Sequence, residues 1–351
     1  MPIFHWPPPP ASVCCALIPR GAKRMSETMF QLTTIATKEI RDAVRGKLFA
    51  LVSLLLIACG ATALIVGAVA MNAEVADYTA SRDLLLSLGK AVDALAPPSF
   101  KPLALLRGFI EYLEIIGAIL GIILGHRTAA SERGRNTLGL LLTRPLSLRV
   151  LLAGKILGNI AALVVILAVV FIVGAAGITL IGGVGLTVAD TARILVTFTA
   201  AALYVGSFFL LGLILALHMR RPAHAIMAAF AIWLSLVLIA PQIGDTLDPD
   251  NQVGAGVFRT LGIAKPQEKQ IMTSFATYET VRDGIEQLSP AKHLERWSFA
   301  ALGIKEIYLG QPLVTVMRDR WSDAAWLIGL FTALLAGLFT LPFNITNLKK
   351  D

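Results

Sequence analysis

The chain has 351 residues, 56% of them apolar and only 15% charged, with a mean hydropathy of +0.72. A soluble domain carries about a quarter charged residues and just under half apolar ones, so this composition excludes a disordered chain, a disulfide-rich secreted module and an ordinary cytosolic enzyme. The formal net charge of +8 reads either as nucleic-acid binding or as the basic flanks of membrane spans. No basic run is interleaved with aromatics, which favours the spans. Cys14, Cys15 and Cys59 contain no Cys-x-x-Cys pair and support neither a disulfide frame nor a zinc site.

Residues 1–24 hold the run Pro7 to Pro10 and the Cys14-Cys15 pair, with too short an apolar stretch for a signal-peptide core. Translation is expected to begin at Met25, leaving 1–24 as a misassigned extension or a disordered tail. Residues 25–47 then read as an amphipathic helix. Leu32, Ile35, Ala36, Ile40, Ala43 and Val44 share about half of its wheel, and Lys38, Arg41 and Arg45 gather on the other half. Glu39 falls on the apolar side. A carboxylate there is expected to meet protein rather than lipid, the other reading being a plain anchor on an anionic membrane surface.

A spanning helix needs about 20 mainly apolar residues. Candidates follow at 48–71, 109–125, 156–181, 194–218, 223–243 and 324–343, six in all. Basic residues collect on one side of these spans. They are Lys38, Arg41, Arg45 and Lys47 before the first, and Arg127, Arg133, Arg135, Arg144, Arg149 and Lys155 between the second and third. Arg220 and Arg221 follow the fourth span, and Lys349 and Lys350 follow the sixth. That side is expected to be cytoplasmic, which puts both termini inside a cell membrane. The opposite loops, 72–107 and 244–321, mix acids and bases. The second is cut by Pro249, Pro266, Pro290 and Pro312, with a helix expected in 267–287, and reads as a periplasmic cap or as a passive loop.

Within the second span, Glu111 and Glu114 lie three apart on one helical face, and carboxylates at membrane depth usually face an interior path or a basic partner. They are expected to line a translocation path, although Arg107 stands one turn from Glu111 and offers it a simple pair. Gly117, Gly121 and Gly125 repeat every four residues, a spacing that lets helix backbones approach closely. Segment 126–155 carries Arg127, Glu132, Arg133, Thr137, Arg144 and Pro145. Pro145 disfavours helix at Arg144, and Ser147 is placed to cap a new one. The segment predicts a short helix held crosswise between two spans, presenting charge and an apolar ridge to a soluble partner. Periodicity alone gives only a charged connecting loop.

The pattern Glu132-x4-Thr137-Leu138-x2-Leu141-Leu142-Thr143-Arg144-Pro145, with Gly154-Lys155 beyond it, resembles the ABC-2 type permease family. It is especially similar to the permeases of multicopper-enzyme maturation, including that of nitrous-oxide reductase. Ala36-Thr37-Lys38-Glu39-Ile40 followed by Arg41 and Arg45 resembles that family's start. The resemblance implies an all-α polytopic membrane protein of the ABC-2 type permease fold with six transmembrane helices. It also implies an N-terminal amphipathic interface helix at Lys38, Glu39, Arg41 and Arg45 and a cytoplasmic coupling helix in 126–155. By that resemblance Arg127, Glu132, Arg133, Thr137, Arg144 and Pro145 sit against a separate ABC ATPase subunit, the permease dimerises, and ATP with magnesium binds the partner rather than this chain. The long 244–321 loop departs from the pattern and leaves the substrate open.

No Gly-x4-Gly-Lys-Ser/Thr phosphate loop, no His-Glu-x2-His and no dinucleotide fingerprint occur, so this chain is expected to be no enzyme and to leave ATP hydrolysis to a separate subunit. Two other classes stay open. A secondary carrier predicts ion-coupling residues near midspan. A membrane scaffold would hold a periplasmic accessory protein through 244–321 and have no ATPase partner.

Overall fold

The computed structural model describes residues 20–89, 101–135, 147–183, 185–247, 267, 273 and 276–340, and among these every regular element is helical. Helix α1, Arg20–Val44, begins five residues ahead of Met25. Helix α2, Lys47–Ser87, follows a break at Gly46. Its 41 residues at about 1.5 Å each make it about twice as long as a bilayer core is thick. The expected first span is thus the front part of a longer rod. Residues 72–87 contain neither Pro nor Gly, so nothing ends the helix until Gly89 takes φ 65° and closes its C-terminus.

The second span is built in four pieces: a 3₁₀ turn Pro102–Leu106, α3 Arg107–Tyr112, a π turn Leu113–Gly117, and α4 Ala118–Arg135. Helix α4 runs beyond the expected end at His126-Arg127, because Ala129, Ala130, Glu132 and Arg133 are compatible with helix and no proline comes before Pro145. Glu132 and Arg133 therefore ride on the extended span instead of in a loop. Helix α5, Leu148–Gly182, is capped by the Ser147 side chain, which accepts from the Val150 amide at 3.3 Å. Helix α6, Val188–His218, starts with a capping box between Thr187 and Asp190. The fifth span joins α7 Pro222–Trp233, a π turn Leu234–Ile239 and α8 Ala240–Leu247. After it come α9 Ala276–Glu286, α10 Pro290–Ala301, α11 Leu313–Asp319 and α12 Trp321–Thr340. Among the described residues six helical runs are long and apolar enough to cross a membrane.

Helix α6 is the axis of the bundle: 72% of its most apolar window is enclosed by protein, against 17% for the sixth span. Glycines allow its closest contact. A Cβ on Gly121 would stand 2.5 Å from the Val205 carbonyl oxygen, and one on Gly125 would stand 2.1 Å from that of Phe209. From the other side, a Cβ on Gly212 would meet the Ile122 carbonyl at 2.6 Å. Backbone lies on backbone here, the small-residue packing that stands in for hydrophobic drive inside a bilayer. Gly117 faces the Val205 side chain more loosely. Peripheral helices keep broad apolar surfaces outward, among them Leu51, Leu54, Leu55 and Val66 on α2, as lipid-facing spans do.

Between the fifth and sixth spans, α10 is enclosed by α6 and α12, with Leu294, Trp297, Phe299 and Ala300 buried. His293 joins Asp323 of α12 at 2.7 Å and stacks on Trp326, and Arg296 reaches the same carboxylate at 3.4 Å. This part of 244–321 is integral to the bundle. Of the helix expected in 267–287, α9 covers Ala276–Glu286, and most of 267–275 lies outside the described residues.

Candidate functional site

The basic residues of α1 and the two ends of segment 126–155 meet at one end of the bundle. The apolar face of α1 lies along α5, where glycines again cut a notch. A Cβ on Gly154 would stand 2.8 Å from the Ile35 side chain, and one on Gly158 would stand 2.5 Å from the Ala36 carbonyl oxygen. Into this seam points Glu39, 5% exposed, the carboxylate on the apolar side of the helical wheel. Its Oε1 accepts from Lys155 Nζ at 2.9 Å and from Lys38 Nζ at 3.3 Å. Its Oε2 accepts from Asn159 Nδ2 at 3.1 Å, and the same amide donates to the Lys155 carbonyl at 2.8 Å. Lys155 and Asn159 are buried as well. Charge is balanced and both carboxylate oxygens are bonded, the condition under which a buried ion pair is tolerated.

Arg127 holds the second contact. Its Nη2 donates to the Asp42 carbonyl at 3.3 Å, one of the acceptors left open in the last turn of α1. The guanidinium lies over Gly46, where a Cβ would stand 1.7 Å from Nη1. A side chain at this joint between α1 and α2 would push the guanidinium aside. A polar cavity of about 190 Å³ opens between the two contacts, lined by Glu39, Asp42, Arg45, Arg127, Thr128 and Asn159. Away from α5, α1 exposes Lys38, Arg41 and Arg45. Lys38 is partly neutralised by Glu39 and by Asp42 at 3.8 Å, whereas Arg41 and Arg45 form no ion pair among the described residues. Alongside them Thr33, Thr34 and Thr37 bond their hydroxyls back to carbonyls one turn earlier.

The profile of the ABC-2 family transporter proteins matches residues 33–341, most of the chain. The chain belongs to the ABC-2 transporter family. No curated protein matches it significantly. This ABC-2 transporter chain is therefore a multi-pass membrane transport component, from a family whose membrane subunits work with ABC ATPases.

Of the residues expected at an ATPase interface, the fold brings Arg127 to α1. Glu132 and Arg133 stand on the backbone of α4, and Thr137, Arg144 and Pro145 lie outside the described residues. The expected path residues separate. Glu111 pairs with Arg107 at 3.0 Å on an exposed face, and Arg107 also lies over the Phe299 ring of α10. Glu114 turns inward from the π turn, with Oε1 buried and unpartnered, and its backbone carbonyl accepts from the Tyr204 hydroxyl at 2.6 Å. Beyond that end of the bundle, Lys292 meets Glu295 at 3.2 Å and Asp245 at 3.4 Å. Burial works against its charge, but Glu295, Asp245 and Glu286 outweigh it and hold the ammonium above its ordinary pKa. Among the described residues no group of His, Cys, Asp and Glu is arranged to hold a metal ion.

From sequence, Lys155 reads as a basic flank and as part of the family pattern, not as a partner of Glu39, and Asn159 is not singled out. Their signal is Gly154-Lys155-x2-Gly158-Asn159, a small-polar pair repeated at one helical turn inside an apolar span. Gly212, the return half of the contact between α4 and α6, escaped because it belongs to no repeat.

Proposed function

We propose that this chain is the membrane-spanning permease subunit of an ABC transporter, coupled to a separate ATPase subunit that docks on the basic end of the bundle. The observation that carries the reading is the joining of α1 to both ends of segment 126–155, through Arg127 at one end and Lys155 at the other. A partner that pushes on either element pushes on both. Arg41 and Arg45 on α1 and Glu132, Arg133, Thr137, Arg144 and Pro145 on the segment form the docking face. In this reading the basic end and both termini lie in the cytoplasm, supported by the basic flanks, and the membrane is the cell inner membrane.

Two copies of the chain and two ATPases form the working unit, with ATP and magnesium held by the ATPases. Closure of the ATPases moves the docking face, and the six spans reshape a path between the two membrane halves. A role in multicopper-enzyme maturation, with a sulfur or copper species as cargo and a periplasmic accessory protein on the 244–321 side, rests on the likeness of segment 132–145. The test is charge reversal. Glu132→Arg, Arg144→Glu and Arg41→Glu are each expected to lower co-purification of the ATPase with the tagged chain while membrane insertion is unchanged. Wild-type recovery of the ATPase in all three variants would overturn the docking face.

A further inference from the structure

Helix α1 leads covalently into the first span, yet its side chains are fastened elsewhere. At Gly46 the backbone is extended, with φ −73° and ψ 110°, so the helix is interrupted between α1 and α2. Across that joint the close contact is the Arg127 guanidinium lying over Gly46. Along α5, by contrast, two successive turns of α1 are engaged. Ile35 fills the space above Gly154, Ala36 lays its backbone on Gly158, and Glu39 bonds Lys155 and Asn159. Glycine notches fix the distance between the two helices, and the buried ion pair fixes their register. A slip of one turn would leave both Glu39 and Lys155 buried without a partner.

We infer that α1 and the start of the third span form one rigid lever, hinged at Gly46 against the first span, and that Glu39, Lys155 and Asn159 are the positioning residues that clamp it. The inference deepens the docking reading above and rests on it for the source of the push. Motion imposed on α1 enters the bundle through the third span, although the chain runs directly into the first. The far end of segment 126–155 is Lys155 itself, so it moves as part of the same body. Arg127, held to α1 by one bond of 3.3 Å, is the strap that lets the second span follow.

Spin-label distances test this in the full chain in nanodiscs, with Cys14, Cys15 and Cys59 replaced by Ser. One label pair, Phe30→Cys with Leu157→Cys, spans the clamp, and a second, Phe30→Cys with Leu51→Cys, spans the hinge; all three positions are exposed. In the isolated chain the clamp pair is expected to give a single narrow distance. Glu39→Gln is expected to broaden it, and the charge swap Glu39→Lys with Lys155→Glu to restore much of the narrowness. The swap is also the variant that keeps the test open if Glu39→Gln does not fold. With the ATPase subunit, ATP and vanadate added, the hinge distance is expected to shift and the clamp distance to stay.

An unchanged narrow distance in Glu39→Gln overturns the clamp and leaves the docking reading standing. A clamp distance that shifts with nucleotide as far as the hinge distance overturns the lever. Clamp distances that behave as expected in the isolated chain, with no response of either pair to the ATPase, support the clamp and count against the docking reading.

Discussion

Replacing Gly125 by Ala probes the seam at the centre of the bundle. The new methyl carbon would stand 2.1 Å from the Phe209 carbonyl oxygen and 2.8 Å from the Leu213 amide nitrogen, both backbone atoms of α6. To reach ordinary contact at 3.4 Å, α4 and α6 must part by about 1.3 Å, because no side chain is available to rotate away. Overpacking of this kind costs about 1–3 kcal/mol, and an unyielding backbone puts Gly125 near the top of that range. Alanine returns about 1 kcal/mol of helix propensity, for a net loss of about 2 kcal/mol. Gly121→Ala, with 2.5 Å to the Val205 carbonyl oxygen, is expected to lose about 1 kcal/mol by the same reasoning. At Gly117 the nearest atom is a Val205 methyl at 3.1 Å, which can turn, and the two terms cancel. Gly329 has nothing within 4 Å, so alanine there leaves stability unchanged or raises it. Thermal unfolding of the detergent-solubilised chain, read by loss of the monodisperse peak in size-exclusion chromatography, ranks the four. Equal stability of Gly125→Ala and Gly329→Ala would refute the backbone contact.

The ion pair at α1 gives an asymmetric expectation in the same assay. Glu39→Gln strands Lys155 as a buried cation and is expected to cost about 3–5 kcal/mol, whereas Lys155→Met leaves Glu39 with the half-exposed Lys38 and with Asn159 and costs less. The double variant Glu39→Gln with Lys155→Met is expected to lose less than the two singles together; strict additivity would mean that the pair is not coupled. At the opposite end, Lys292 is held above its usual value of 10.5, so the folded state keeps its proton longer than the unfolded chain does. Its contribution is complete below the unfolded pKa and is lost as pH rises through the folded one. Alkaline melting curves above pH 10.5 are therefore expected to fall more steeply for the wild type than for Lys292→Met, and identical slopes would contradict the Lys292 assignment.

Span number was legible because it needs only length and apolar content, and the positions of the basic residues follow from the same reading. Helix ends were not. Residues 72–87 and 127–135 carry enough polar groups to look like loops, but helix stops require Pro, Gly or a cap, and none falls inside 72–87. The wheel position of Glu39 favoured a protein partner over a plain membrane anchor, yet that partner's identity depends on how α1 crosses α5, which no local pattern records. The carboxylates of the second span show the reverse. Spacing put Glu111 and Glu114 on one face, but the π turn starting at Leu113 adds a residue to one turn and sends Glu114 inward, while Glu111 stays outside with Arg107. His293 and Asp323 lie 30 residues apart in unrelated contexts, and only the return of α10 into the bundle joins them.

Native mass spectrometry of the assembly drawn from membranes through a tag on this chain tests the central claim most directly. The account predicts two copies of the 37.5 kDa chain together with two nucleotide-binding subunits. A particle that holds this chain with no ATPase, and still moves cargo when reconstituted, would contradict it.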